Sequence, residues 1–123
     1  MVLKIDNDKK ISAVKEEFNS LFPYLKLEFF RHKHDEHKPS AKKDMLSPDL
    51  SLKSTRKKHN EGMILVNENM SVADLERLFQ EVFGISAQVF RKSGRSWIET
   101  SVTDDWTLKR QNDEGKELSN FSK

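Results

Sequence analysis

The chain has no cysteine and no long hydrophobic run. The lack of cysteine excludes a disulfide framework, a thiolate zinc site and a cysteine nucleophile. No apolar run approaches the roughly 20 residues that cross a bilayer, and the first residues become charged too early for a secretory signal. The absence of a long apolar run and of a secretory signal predicts a cytoplasmic protein with no membrane-embedded part, whereas the lack of cysteine does not fix the compartment.

Hydrophobic residues are also scarce, at 35% of the 123 residues. Because this is below the usual range for compact domains, part of the chain is predicted to lie outside the core. We assign one domain to residues 1–115 and a disordered polar tail to residues 116–123. The segment from Arg31 to His59 has nine Lys and Arg against four Asp and Glu, although the net charge of the chain is only +2. This segment predicts a mobile basic loop at about residues 34–60.

Two stretches of the chain repeat the order of strand, helix and strand. The first has a strand candidate at Met1 to Ile5, an apolar stripe at helical spacing from Lys9, and strand-like alternation from Leu25 to Phe29. The second runs from Met63 to Phe90 in the same order. When the two stretches are aligned, four residues of the first match identical residues of the second: Phe18 with Phe79, Phe22 with Phe83, Phe30 with Phe90, and Arg31 with Arg91.

The second stretch carries the clearest local signals. Ser71 and Asp74 are typical of a capping box at the start of a helix, and Gly84 is positioned to end that helix in the left-handed conformation. After the next strand, Ser93 and Gly94 predict a tight turn. The sequence therefore predicts a β-hairpin at the end of the second unit.

The C-terminal part adds two elements to the repeat. Ser96 to Val102 is rich in β-forming residues and predicts a fifth strand, and Thr103 or Asp104 can cap a short helix that Gly115 would end. Two βαβ units with right-handed crossovers favour a ferredoxin-like βαββαβ sheet. The predicted fold class is thus α+β, ferredoxin-like with an added hairpin strand and a terminal helix. A β-grasp-like sheet is the alternative.

Several strings carry a resemblance to a known family. They are QVFRKSG, W-x-E-T and TDDWTL-x-x-Q-N, preceded by FPYLKLEFF and KHNEG. Over most of Phe22 to Gly115 the chain resembles a family of small uncharacterised proteins from Bacteroidetes bacteria. The resemblance implies a bacterial, cytosolic origin. Since the family has no assigned activity, it implies no catalytic residue, binding residue or cofactor.

Two groups of side chains have residue types that can bind a metal ion or transfer a proton. His32, His34 and His37 have the spacing H-x-H-x-x-H, and three imidazoles can bind Zn²⁺ or Ni²⁺ when the backbone fixes them. Their segment is charged, which favours solvated histidines and no metal site.

The second group consists of Glu99, Asp104 and Asp105, the best placed acids for proton transfer or for binding Mg²⁺. The simpler interpretation places both aspartates at the N-terminus of the terminal helix, where negative charge is favourable. Because no nucleophile accompanies these acids, we predict that the protein is not an enzyme and needs no cofactor.

The sheet face away from the helices is the predicted contact surface. If Leu25, Leu27 and Phe29 face the helices, Phe30 points to the other side, and the repeat places Phe90 on that same side. An exposed aromatic and basic face favours a protein partner or a homodimer. RNA binding through sheet aromatics is the alternative, although the RNA-recognition signature is absent from the third strand. The predicted contact residues are Phe30, Phe90, Arg91, Lys92, Arg95 and Trp97.

Overall fold

A computed structural model describes residues 2–5, 8–31, 44–52 and 62–121. Strands and helices alternate along this part of the chain, which confirms the α+β class. The elements are β1 (Val2–Ile5), α1 (Ile11–Leu21), β2 (Leu25–Phe30), β3 (Gly62–Leu65), α2 (Val72–Leu78) with a π-helical turn at Phe79–Phe83, β4 (Ser86–Ser93), β5 (Ser96–Glu99) and α3 (Leu108–Phe121).

The five strands form two antiparallel sheets. In one, β1 pairs with β3; in the other, β2, β4 and β5 lie side by side in that order. A ferredoxin-like sheet would place β1 and β3 between β2 and β4. Here β2 pairs directly with β4 over its whole length, so the strand order differs from the one we predicted.

The sequence repeat appears in the structure as an approximate two-fold symmetry. Leu3 on β1 lies opposite Ile64 on β3, and Glu28 on β2 lies opposite Gln88 on β4. Each of these pairs joins equivalent positions of the two halves. Because equivalent residues lie opposite each other in an antiparallel pair, each pair has a local two-fold relation that fits the sequence repeat.

The first helix begins against a turn from further along the chain. The backbone N–H groups of Ile11 and Ser12 donate to the carbonyls of Leu50 and Pro48, both at 3.0 Å. The N-cap residue Lys10 gives no side-chain hydrogen bond, so these carbonyls satisfy the first donors of the helix. Residues 44–52 are therefore held against the domain, although we had included them in a mobile loop. The rest of that loop lies outside the described residues.

The second helix begins in the same way. Val72 and Ala73 donate their N–H groups to the carbonyls of Trp106 and Asp104, at 3.1 and 2.8 Å. Here the N-cap residue Ser71 also accepts a hydrogen bond through Oγ from the Asp74 N–H, as its sequence predicts. The turns that meet α1 and α2 have similar sequences, SPDLSL at residues 47–52 and TDDWTL at residues 103–108, so the likeness of the two halves extends beyond the strands.

The core lies between the helices and one face of the larger sheet. Phe29 on β2 meets Phe79 edge to face, with ring centroids 5.3 Å apart. The other large buried side chains of this core include Leu3, Ile11, Phe18, Leu25, Leu27, Leu52, Leu75 and Phe83. The smaller sheet contributes Leu3 and Ile64 from its inner face, so its other face points away from the core.

Helix α3 extends further than the sequence suggested. We expected Gly115 to end it, but the helix continues to Phe121. Gly115 is buried against β2 and β4, where an added Cβ would come within 2.9 Å of Tyr24 Cβ and 3.1 Å of Arg91 Cγ. The glycine therefore allows close helix packing, and residues 116–121 belong to the helix and not to a disordered tail.

Candidate interaction surfaces

Strand β3 exposes two apolar side chains on the outer face of the β1–β3 sheet. Met63 and Leu65 are 66% and 73% exposed, whereas Ile64 between them is buried in the core. This alternation follows from the pleat, which sends successive side chains to opposite faces. Leu21, at the C-terminal end of α1, is 43% exposed. We call Leu21, Met63 and Leu65 the outer apolar patch.

A groove of about 440 Å³ adjoins this patch. It lies between the end of α1 and the residues that follow β3. Its lining is mainly apolar, with one charged residue, and consists of Leu21, Phe22, Leu65, Val66, Asn67 and Glu68. Two of the three patch residues thus line a concave surface, which is the shape that can receive a side chain of a partner.

The sheet face that we expected to be open is largely covered. The register confirms the predicted alternation, since Phe90 lies opposite Lys26 and Phe30 lies opposite Ser86. Phe30 and Phe90 are nevertheless buried, at 2% and 9% exposure. The Lys26 ammonium lies 5.3 Å from the centre of the Phe90 ring, and Met45 bridges to Phe30 beside β2. Burial removes both phenylalanines from the candidate contact surface.

Trp97 is the aromatic residue of this face that retains exposure. Its half-buried ring lies 5.2 Å from Lys26 Nζ and 5.8 Å from Lys92 Nζ. Arg95 is exposed in the β4–β5 turn, where Gly94 adopts a positive φ of 63°. We call Trp97, Lys26 and Lys92 the Trp97 cluster. Two ammonium groups surround one indole, and that of Lys26 also lies 3.7 Å from Glu28 Oε1.

Arg91 lies on the opposite face of β4 from Lys92. Its Nη1 donates to Gln111 Oε1 at 2.9 Å, and its guanidinium lies 5.6 Å from the Trp106 ring. Arg110 stacks closer to the same ring, at 3.7 Å. Arg91 thus joins β4 to α3, separately from the Trp97 cluster, and the structure does not bring all six predicted contact residues together.

Three acids, Glu76, Glu99 and Asp104, lie near the end of β5. Glu76 on α2 accepts a hydrogen bond from the Val89 N–H at 2.9 Å. Val89 precedes Phe90, whose pair with Glu99 is the end pair between β4 and β5. The pKa of Glu76 is raised to about 8, mainly because the side chain is buried. The Val89 N–H lowers this pKa, and the charges of Asp104 and Glu99 raise it. Glu76 is therefore mostly protonated at neutral pH.

The aspartates do not have the capping role that we predicted. Asp104 is almost fully buried, and its carbonyl caps α2 as described above. At α3 the Thr107 Oγ1 accepts the hydrogen bond from the Arg110 N–H, so Thr107 caps that helix. Asp105 is exposed in the preceding turn.

Sequence reasoning missed Glu76, Met63 and Leu65. Glu76 follows Leu75 on the buried stripe of α2, so an acid within an apolar stripe was the available signal. Met63 and Leu65 belong to the continuous apolar run Met63 to Val66, which hides the exposed face of a strand.

No three His, Asp or Glu side chains of the described residues are arranged to hold a metal ion. His32, His34 and His37 lie outside those residues. In the described part of the chain, no helix is both long and apolar enough to cross a membrane. Comparison with known proteins found no matching family model, curated protein or solved structure.

Proposed function

We propose that the protein is a non-enzymatic interaction module that binds a protein partner through the outer apolar patch. The observation that carries this proposal is the exposure of Met63 and Leu65 on one face of β3, 66% and 73%, beside a groove. Exposed apolar patches on soluble domains commonly mark sites of protein contact.

The energetics support this choice of surface. Transfer of an exposed Leu or Met side chain from water into an interface contributes roughly 1.5–3 kcal/mol. Met63 and Leu65 lie two residues apart on a regular strand, so one partner surface can cover both without a change in the backbone. Val102 is more exposed, at 84%, but it lies in the turn after β5 and is not among the residues that line the groove beside Leu65.

The test is a quantitative capture experiment with the tagged full chain in extracts of its source cells. We expect partners captured by the wild type to be lost with the double variant M63K/L65K. V102K is the matched control, because it adds a lysine at an exposed apolar residue outside the patch. Equal capture by wild type and M63K/L65K, or equal loss with V102K, would contradict the proposal.

Nucleic-acid binding is a second candidate, and the Trp97 cluster favours it. The half-buried Trp97 indole lies beside two lysines, and its accessible part provides a surface on which a base can stack while the cations contact phosphate. The support is the 5.2 and 5.8 Å separation of the two ammonium groups from the ring. Phe30 and Phe90 are buried and so do not provide a stacking surface.

Fluorescence of Trp97 in a W106F background tests the second candidate. Addition of a mixed-sequence 12-nucleotide RNA should quench the emission, and binding should weaken steeply between 50 and 250 mM salt. K92Q should weaken binding more than the control K109Q on α3. The absence of quenching at micromolar protein would rule this candidate out.

The bacterial origin, the cytoplasmic location and the family resemblance remain predictions. They fit an interaction module but do not define its partner. Homodimerisation through the same patch is one form of the proposed function, and sedimentation of the wild type and M63K/L65K distinguishes it from binding to a different protein.

A further inference from the structure

Strand β3 lies at the edge of its sheet. Among the described strands it pairs only with β1, through Gly62 to Leu65. An antiparallel strand directs part of its backbone N–H and C=O groups away from its neighbour, and at an edge these groups can pair with another chain. This edge borders the outer apolar patch, and the inference below rests on the proposed function of that patch.

The size of the patch limits which partner it fits. Three partly exposed side chains provide at most a few hundred Å² of apolar surface. A stable interface between two folded proteins needs roughly 800 Å² from each partner. The patch alone is therefore too small for a second copy of this chain. An added strand needs less side-chain area, because main-chain hydrogen bonds supply part of the affinity.

The groove adds a position for side-chain recognition. It begins at Leu65 and continues past Val66 to Glu68, so it lies where β3 ends. A strand added along β3 passes its opening, and one of its apolar side chains can enter beside Leu21 and Phe22. Glu68 is the one charged residue among those that line the groove, which favours a cationic residue in the partner.

We propose that the outer edge of β3 binds an extended peptide segment of a partner protein as an added strand. The segment has apolar residues at alternate positions, one of which occupies the groove, and a Lys or Arg that lies beside Glu68. The main chain of β3 provides affinity, and the patch and groove provide specificity.

Selection from a random decapeptide phage library on the full-length protein tests this proposal. We expect enriched peptides to share alternating apolar residues and one basic residue, and to bind L65K at least tenfold more weakly than wild type. E68Q should weaken binding of the same peptides severalfold. V102K, which adds the same lysine elsewhere, should bind them like the wild type.

Backbone N-methylation separates strand addition from simple apolar docking. N-methyl groups at alternate residues on one edge of the best peptide should abolish binding, whereas methylation at the intervening residues should preserve it. Equal binding by both methylated peptides would overturn strand addition. So would the absence of any enriched peptide, or enriched peptides that bind L65K normally.

The outcomes also separate this inference from the proposed function. If M63K/L65K loses the captured partner but no peptide is selected, the patch binds a folded surface and strand addition is wrong. If wild type forms a dimer that M63K/L65K does not form, the occupant is a second copy, which also overturns the peptide proposal. If capture is unaffected by M63K/L65K, the proposed function itself fails.

Discussion

Glu76 shows how the fold changes the chemistry of a single residue. An acid on the buried stripe of α2 loses its hydration, and the charges of Asp104 and Glu99 add to the cost of ionising it. One backbone hydrogen bond, from Val89, offsets only part of this cost. A neutral side chain that keeps the acceptor for Val89 should therefore stabilise the protein.

We predict that E76Q is more stable than the wild type at high pH. The folded-state pKa of about 8 lies above the ordinary value of 4.5, so the folded state holds this proton more tightly than the unfolded state. The wild type should lose stability as the pH rises from about 4.5 to 8, whereas E76Q should not lose this contribution. At pH 9 the gain should be on the order of 5 kcal/mol, and at pH 5 it should be small.

Urea unfolding at pH 5, 7 and 9 measures this difference. E16Q is the matched control, because it makes the same substitution at an exposed residue of α1. Parallel pH profiles for the wild type and E76Q would show that Glu76 is not the group that titrates.

At the scale of the elements, two glycines in or next to helices have different structural roles. Gly84 has a φ of 62° and ends the π-helical turn of α2, as its sequence context predicts. Gly115 resembles a helix stop in the sequence but lies within a continuous helix, because Tyr24 and Arg91 leave no space for a Cβ. Local patterns indicate the first role, whereas the second depends on packing between elements that are distant in sequence.

We predict that G115A destabilises the protein. Alanine favours a helix by about 1 kcal/mol over glycine. The new Cβ would meet the Cβ of Tyr24 at 2.9 Å and its carbonyl at 3.1 Å, and neither atom is the end of a flexible side chain. Overpacking typically costs about 1–3 kcal/mol, so after the helix gain we expect a net loss of up to about 2 kcal/mol. In chemical unfolding the exposed control K116A should be near neutral. A G115A variant as stable as K116A would contradict this packing role.

At the scale of the whole molecule, the repeat was predictable but its consequence for the sheets was not. Identities such as Phe18 with Phe79 indicate duplication, and the Glu28–Gln88 and Leu3–Ile64 pairs fit it. The sequence also contains a second sign of duplication, in the two turns that precede Leu52 and Leu108. Ser47 to Leu52 reads SPDLSL, Thr103 to Leu108 reads TDDWTL, and both cap a helix.

Neither the order of the strands nor the burial of their faces could be predicted from these patterns. Alternation gives the two faces of β2 and β4 correctly, but it does not say which strands pair or what covers a face. Phe30 and Phe90 are therefore on the predicted side yet buried. The exposed residues Met63 and Leu65 lie in a strand whose sequence is apolar at every position from 63 to 66.

The central claim is that the outer face of the β1–β3 sheet is the contact surface, and amide hydrogen exchange tests it most directly. The measurement compares the full chain alone with the chain saturated by the partner that wild type captures. Our account predicts slower exchange at residues 62–65, with little change at residues 96–99. Protection confined to residues 92–97, with 62–65 unchanged, would contradict it and favour the Trp97 cluster instead.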